Sequence, residues 1–364
     1  MGHKPIVFGL FLAITASAPA QIAQPGVAAP FDSIIDNAFK STRCPGLSVA
    51  LLIHNSVVYS KAWGFADVEQ GVPLTSDSVH RLASVSKLVT ATMIMDLVQA
   101  GRLKLDIPIK TYLTDLPGTY DKITVRHLLS HQSGIREYKV PDEAFSTIHY
   151  ATSRDALKAF VNDALLFEPG TKTAYTTFGF TVLGAIAEAI TGKSFQSSSE
   201  DFFRRYEING IGIDDSLAIV QKRVRGYRVD TNGAVTNARA YDGSNKYPAG
   251  GFTASAKDFL GFMIAVESGR VLKDDILRQT WTRQKTSDGM QSPFGLGWGV
   301  SERDGRKMVG FNGLQPSTTT SVRYFPDEGA GVALFCNAEV TDSEANQSFS
   351  KLLDDLVGAI LAPK

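Results

Sequence analysis

Ser84-Val85-Ser86-Lys87 sets a serine three residues ahead of a lysine, where a long apolar run begins. From Leu88 to Ala100 the only charge is Asp96, among Met93, Ile94, Met95, Leu97 and Val98. A helix apolar on nearly every side is an interior one. Residues i and i+3 share a helix face, so Ser84 and Lys87 point the same way from its first turn. A serine hydroxyl becomes a nucleophile when a neighbouring base takes its proton, and a desolvated lysine can be that base. The positive end of the helix dipole favours negative charge developing there. A second match, Ser348-Phe349-Ser350-Lys351, starts an amphipathic stretch through Leu352, Leu353, Leu356 and Ile360. Lys351, Asp354 and Asp355 lie on its other side, as on a surface helix without chemistry. The short motif therefore takes its meaning from its surroundings.

Other chemistries lack their residues. No serine has glycine two before and two after it, so the nucleophile elbow of α/β-hydrolases is absent. His127 and His131 have the i, i+4 spacing of two metal ligands on a helix. They lack a glutamate between them and an obvious third ligand, so no metal is expected. Gly192-Lys193-Ser194 resembles the end of a phosphate-binding loop, but Ala187 stands where its first glycine is required. No organic cofactor is expected either.

The frame around these residues begins with Met1-Gly2-His3-Lys4-Pro5, an uncharged run from Ile6 to Ala16, and Ala18-Pro19-Ala20. That order describes a secretory signal peptide over residues 1–20, with cleavage near Ala20. The apolar run is too short for stable membrane insertion. The expectation is a periplasmic or extracellular protein with one domain over 21–364. Losing Lys4 lowers Lys plus Arg from 37 to 36 against 37 Asp plus Glu, a net charge of −1. Near-neutrality argues against a nucleic-acid partner. The densest basic cluster, Lys222, Arg223, Arg225 and Arg228, leads into the hairpin signal Asn232-Gly233 and reads as a solvated strand face. Cys44 and Cys336 would share an oxidising compartment, but spacing alone leaves their pairing open. Oligomeric state is equally open.

Leu47–Ile53 and Val57–Tyr59 flank a turn at His54-Asn55-Ser56 and read as two strands. The pattern turns helical from Ser84 to about Gln196, with helices expected at Ser84–Ala100, Val125–Ser130, Arg154–Leu166 and Phe178–Ile190, the last closed by Gly192. Lys257–Ser268 reads as a further helix, and Leu296–Val300, Thr319–Phe325 and Gly331–Cys336 as strands before the C-terminal helix. The fold class is α/β in the α+β sense. One antiparallel sheet flanked by helices is built from both chain ends, with an all-helical subdomain over roughly 84–200 inserted in it. A site between the two parts is expected, since clefts gather at such junctions.

Phe167-Glu-Pro-Gly-Thr-Lys-Thr-Ala-Tyr175-Thr-Thr177 is the next segment that matters. With it the chain resembles the serine β-lactamases and penicillin-binding proteins, in the branch of class C β-lactamases, D-aminopeptidases and esterases. The resemblance extends through Pro45-Gly46-Leu47-Ser48-Val49, the Ser84 motif and Leu128-Leu129-Ser130-His131-Gln132-Ser133-Gly134. It continues at Pro248-Ala249-Gly250-Gly251-Phe252, Gly295-Leu296-Gly297-Trp298-Gly299 and around Gly310. It implies that Ser84 is the acylated nucleophile, Lys87 its proton acceptor, and Tyr175 the proton relay to leaving group and water. His131 is expected to make a structural hydrogen bond.

Two departures bear on substrate. The Tyr-x-Asn motif reads Tyr175-Thr176-Thr177, so a carboxamide is replaced by a hydroxyl of shorter reach. The Lys-Thr-Gly or His-x-Gly motif reads Phe311-Asn312-Gly313, leaving no cation for a substrate carboxylate. Losing a charged hydrogen bond costs about 1.5–3 kcal/mol, or one to two decades in rate. Gly313 still permits close approach, so the Leu314 and Ser84 amides could form an oxyanion hole, with Asn312 nearby. The leading expectation is an exported serine hydrolase acting on small neutral esters or amides. A D-amino-acid peptidase or weak β-lactamase acting on cell-wall peptide fragments is the alternative, and a penicillin-recognising binding module that has lost turnover is a third.

Overall fold

The computed structural model describes residues 22–23 and 28–362. The expected signal peptide lies outside these residues. An eight-stranded antiparallel sheet forms the backbone of the molecule. Its strands are β1 (Ile22–Ala23), β2 (Gly46–Ile53), β3 (Ser56–Asp67), β4 (Gly299–Arg303), β5 (Arg306–Gln315), β6 (Thr318–Phe325) and β7 (Ala330–Cys336), in the order β1-β3-β2-β7-β6-β5-β4. The eighth, Val72–Pro73, is a short edge pairing on β3. Both chain ends thus meet in one sheet, through the pairing of β2 with β7.

Why β7 reads as an unbroken apolar run is plain from its neighbours. Val332, Leu334 and Cys336 enter one core, whereas Ala333 and Phe335 enter the other. A central strand covered on both faces has no polar side to show. On one face pack α1 (Ala28–Thr42) and α5 (Ser343–Leu361), each with its apolar stripe inward. The other face carries α4 (Ala256–Glu267), and the same core continues beyond it into α2 (Ser86–Gln99) and α3 (Thr177–Thr191). Cys44 and Cys336 form a disulfide with Cα atoms 5.7 Å apart, tying the entry to β2 to the end of β7.

The helical insertion is present, but parts of it differ from expectation. Only Ser153–Ala156 and a 3-10 turn at Leu157–Ala159 form within 154–166. Asp163 is drawn to Arg136 and Lys139, and Leu166 N donates to Gly134 O, so tertiary partners replace the helix ladder. The strand expected at Leu296–Val300 begins only at Gly299, because Gly297 turns the chain at φ +81°. Asn232-Gly233 does close a hairpin, between Tyr227–Val229 and Val235–Asn237. The basic cluster before it is ion-paired rather than simply solvated, with Lys222 on Asp77, Arg223 on Asp214 and Arg225 on Glu69.

Candidate active site

Ser84 sits in a 3-10 turn, Ala83–Val85, that leads directly into α2. Ala83 holds φ +48°, a left-handed conformation that non-glycine residues adopt at a cost and that recurs at functional sites. The turn is pinned from below: Ser86 Oγ accepts from Phe252 N at 3.0 Å, and Leu82 N donates to Phe252 O. β5 runs alongside. A Cβ on Gly313 would stand 2.6 Å from Leu82 O and 3.0 Å from Ala83 Cβ, so only glycine lets strand and turn approach this closely.

Lys87 is completely buried on α2. Its Nζ donates to Ser84 Oγ at 3.2 Å and to Ala249 O at 3.0 Å. The Ala249 carbonyl belongs to the Pro-Ala-Gly-Gly-Phe segment, which explains why that segment accompanies the serine. Nζ also lies 4.9 Å from the Tyr175 ring centre and 5.4 Å from that of Phe180. Tyr175 Oη is 2.6 Å from Ser84 Oγ, completing a contiguous Lys87–Ser84–Tyr175 network. Residues 91 positions apart are brought together by α3, whose N-cap Thr176 follows Tyr175 directly. Thr176 Oγ1 accepts from Gly179 N and donates to Arg136 O.

His131 stands behind Tyr175, with ring centres 4.7 Å apart. It is fully buried, its Nδ1 accepts from Thr176 N at 3.2 Å, and burial with Lys87 nearby pushes its imidazole well below the usual range. A neutral ring holding the backbone beside the tyrosine matches the structural role expected of it. His127 completes a capping box with Thr124 instead of turning toward His131 as a ligand. Among the described residues, no group of three or more His, Cys, Asp or Glu is placed to hold a metal.

Two cavities meet at Tyr175. The first, about 200 Å³, is lined by Ser84, Lys87, Thr177, Leu314, Lys246 and Glu137 among others. The second, about 320 Å³, is lined by Tyr175, Phe294, Phe311, Asn312 and the Arg323 guanidinium with neighbouring edge-strand residues. Phe311 stacks on Phe294 at 6.0 Å and lies 6.3 Å from the Tyr175 ring, so the position expected to lack a cation is an aromatic wall. Two residues expected to meet substrate line these cavities but have protein partners there. Thr177 does not offer a free hydroxyl to a ligand: its Oγ1 donates to Glu137 Oε1 at 2.7 Å, and its amide donates to Glu137 Oε2. Asn312 Oδ1 is likewise committed, accepting from Arg323 Nη2 at 2.7 Å and Ser321 Oγ at 2.9 Å.

Sequence reasoning missed Glu137, Lys246, Gln315 and Glu339, all of which line the Ser84 cavity. Lys246 had a readable signal, since it lies two residues before Pro248 of the Pro-Ala-Gly-Gly-Phe segment. Glu339 follows β7 in the three-residue strand Ala338–Val340, where nothing local marks it.

Comparison with known proteins agrees with this architecture. The family described as Beta-lactamase matches residues 31–354. Human "Serine beta-lactamase-like protein LACTB, mitochondrial" is 26% identical over 345 residues, covering 71% of this chain and 63% of that protein. The chain thus spans under two thirds of the length of the first curated relatives it matches. "Penicillin-binding protein 4" of Amycolatopsis lactamdurans is 28% identical over 347 residues, covering 86% of each chain. The crystal structure of D-amino acid amidase from Ochrobactrum anthropi SV3 aligns with TM-score 0.78 at 21% identity, over 91% of this chain and 100% of that one, which shows the shared fold.

Proposed function

Because the chain belongs to the β-lactamase family, we propose that it is an exported serine hydrolase working through an acyl-enzyme on Ser84. The observation that carries this reading is the position of Ser84 Oγ, 2.6 Å from Tyr175 Oη and 3.2 Å from Lys87 Nζ. As Oγ attacks an ester or amide carbonyl, its proton passes into the Lys87–Tyr175 pair. Tyr175 then delivers that proton to the departing alcohol or amine. Water adds to the acyl-enzyme with the same groups acting in reverse, releasing the acid and restoring the serine. The developing oxyanion would be met by the Ser84 and Leu314 amides.

This proton path orients the substrate. Tyr175 borders both cavities, and we place the leaving group on the side of the Phe294–Phe311 wall and the acyl group in the smaller cavity with Ser84. A leaving group carrying a carboxylate finds no cation at Phe311, and Arg323, which lines the same cavity, turns its terminal nitrogens onto the Phe311 and Val322 carbonyls and Asn312 Oδ1. On this reading the leaving group is neutral and apolar, and the substrate an ester or amide rather than a β-lactam. The Cys44–Cys336 disulfide supports export, because such bonds persist in oxidising compartments. No helix of the described residues is long and apolar enough to cross a membrane.

The test pairs p-nitrophenyl butyrate and nitrocefin with a fluorophosphonate probe, on wild type and Ser84→Ala. Ester turnover and probe labelling should both vanish in Ser84→Ala. Undiminished turnover there would end the mechanism, and efficient nitrocefin hydrolysis would end the substrate preference. A wild-type chain that neither labels nor turns over would instead be a binding module.

A further inference from the structure

The acyl cavity contains a buried cation that the proton path does not use. Lys246 is only 4% exposed, yet it lines the same cavity as Ser84. Its Nζ donates to Ala144 O at 2.7 Å, and it sits 5.1 Å from the Tyr241 ring centre and 5.5 Å from that of Tyr138. An ammonium has three donors, and a charge taken out of water is normally paired. Among the described residues no carboxylate pairs with this one. Glu137 has both oxygens committed to Thr177, and Lys87 is spent on Ser84 and Ala249. Gln315 lines the cavity too, and its buried amide nitrogen has no hydrogen-bond partner among the described residues. Two donors short of acceptors in one small cavity match an anion with two oxygens.

We propose that the acyl half of the substrate ends in a carboxylate held by Lys246 and Gln315, making the substrates half-esters or half-amides of short dicarboxylic acids. This rests on the Ser84 acyl-enzyme proposed above and names the acyl group it carries. The bond from Ser84 Oγ to the acyl carbon forms as the bond to the leaving oxygen or nitrogen breaks. The serine proton leaves with the alcohol or amine, and water then releases the free diacid. On the leaving-group side Phe311 offers no cation, and Arg323 is turned onto Asn312 and backbone carbonyls. On the other side of the nucleophile the recognition charge is present. Burial, with Lys87 nearby, pushes the Lys246 ammonium down to about 8, while Glu137 and Glu339 pull it up. Tyr138 and Tyr241 also face it, so the preference for a charged acyl group should fade as pH rises past that value.

The experiment compares kcat/KM for benzyl hydrogen succinate and benzyl hydrogen glutarate with benzyl butyrate and benzyl valerate. The wild-type protein should favour the half-esters by about 10-fold to 100-fold, the range of a charged hydrogen bond. Lys246→Met should bring that ratio near unity, and Lys246→Arg should keep most of it. Fluorophosphonate labelling of Ser84 establishes that each variant is folded. Glutarate should also inhibit the unaltered protein more strongly than valerate, a comparison that needs no variant. A wild-type ratio of one or less, a ratio retained in labelled Lys246→Met, or equal inhibition by glutarate and valerate would overturn the proposal. Any of these with Ser84 still labelled leaves the acyl-enzyme standing, whereas loss of that reading shows as turnover that ignores Ser84→Ala.

Discussion

One methyl group at Gly313 tests whether the edge of β5 is the wall against which Ser84 reacts. The added Cβ would stand 2.3 Å from Thr320 Oγ1, 2.6 Å from Leu82 O and 3.0 Å from Ala83 Cβ. Thr320 can rotate its hydroxyl away, but Leu82 and Ala83 belong to the backbone turn that carries the serine. Relief must therefore come from parting β5 from that turn. Moving from 2.6 Å to an ordinary contact of about 3.5 Å needs a displacement of roughly 0.9 Å. A misplacement of about 1 Å costs on the order of 100-fold in rate, and one lost oxyanion donor costs about 100- to 1,000-fold. Gly313→Ala should lower kcat/KM for p-nitrophenyl butyrate by about 100-fold, or roughly 2.7 kcal/mol. Its overpacking should cost about 1–3 kcal/mol of stability. Gly261→Ala is the control, because a Cβ there meets no atom within 4 Å on α4. That variant should gain about 0.5–1 kcal/mol of stability and hydrolyse the ester as the wild type does. Steady-state kinetics beside urea melts separate the two effects. A folded Gly313→Ala that acylates at the wild-type rate would refute the placement of the oxyanion wall on β5.

Phe311→His restores a ring that can carry charge, and at pH 6 it should raise nitrocefin hydrolysis about 10-fold or more. An unchanged rate would mean that another group already holds the β-lactam carboxylate. The disulfide closes a sequence separation of 292 residues, so Cys44→Ala/Cys336→Ala should lose about 2–5 kcal/mol in urea unfolding. An unshifted midpoint would show that the crosslink does not stabilise the fold. His80 is fully buried, its Nε2 lies 2.8 Å from Ser48 Oγ, and burial pushes its imidazole down to about 3. The unfolded chain binds that proton near pH 6.5. The stability this neutral histidine preserves is therefore complete above about 6.5 and is lost as pH falls from there toward 3. Between pH 7.5 and 5 the loss is about 2 kcal/mol. His80→Asn should flatten that part of the stability profile, and an identical pH slope in the variant would count against the assignment.

Legibility in the sequence followed how local each determinant is. Ser84 and Lys87 share one helix turn, and Gly192 caps α3 in the left-handed conformation at φ +71°, so both were readable from spacing. β2 and β7 were readable as apolar runs because both faces are covered. β5 was not, since Arg306–Gln315 alternates irregularly and ends as an edge beyond its Gly299–Gly310 pairing with β4. The helix expected over 154–166 failed for the converse reason: distant Arg136 and Gly134 outbid the local ladder. Glu137 and Thr177 illustrate the limit best. Thr177 is a shortened asparagine when read alone, but its meaning is set by a carboxylate 40 residues away that occupies both its donors.

That pairing also constrains how the pocket discriminates. If Thr177 faced the substrate, exchanging it for asparagine would restore an amide-reading group and broaden the chain toward peptides. With its hydroxyl and amide both on Glu137, the same exchange would disturb the carboxylate first and the ligand second. Glu137 in turn pulls upward on the Lys246 proton that burial and Lys87 push down. The threonine, the glutamate and the lysine therefore set one balance of charge beside Ser84. A change at any one of them should appear as altered acyl preference before it appears as altered nucleophile chemistry, because Lys87 and Tyr175 keep their own separate hydrogen bonds to Ser84.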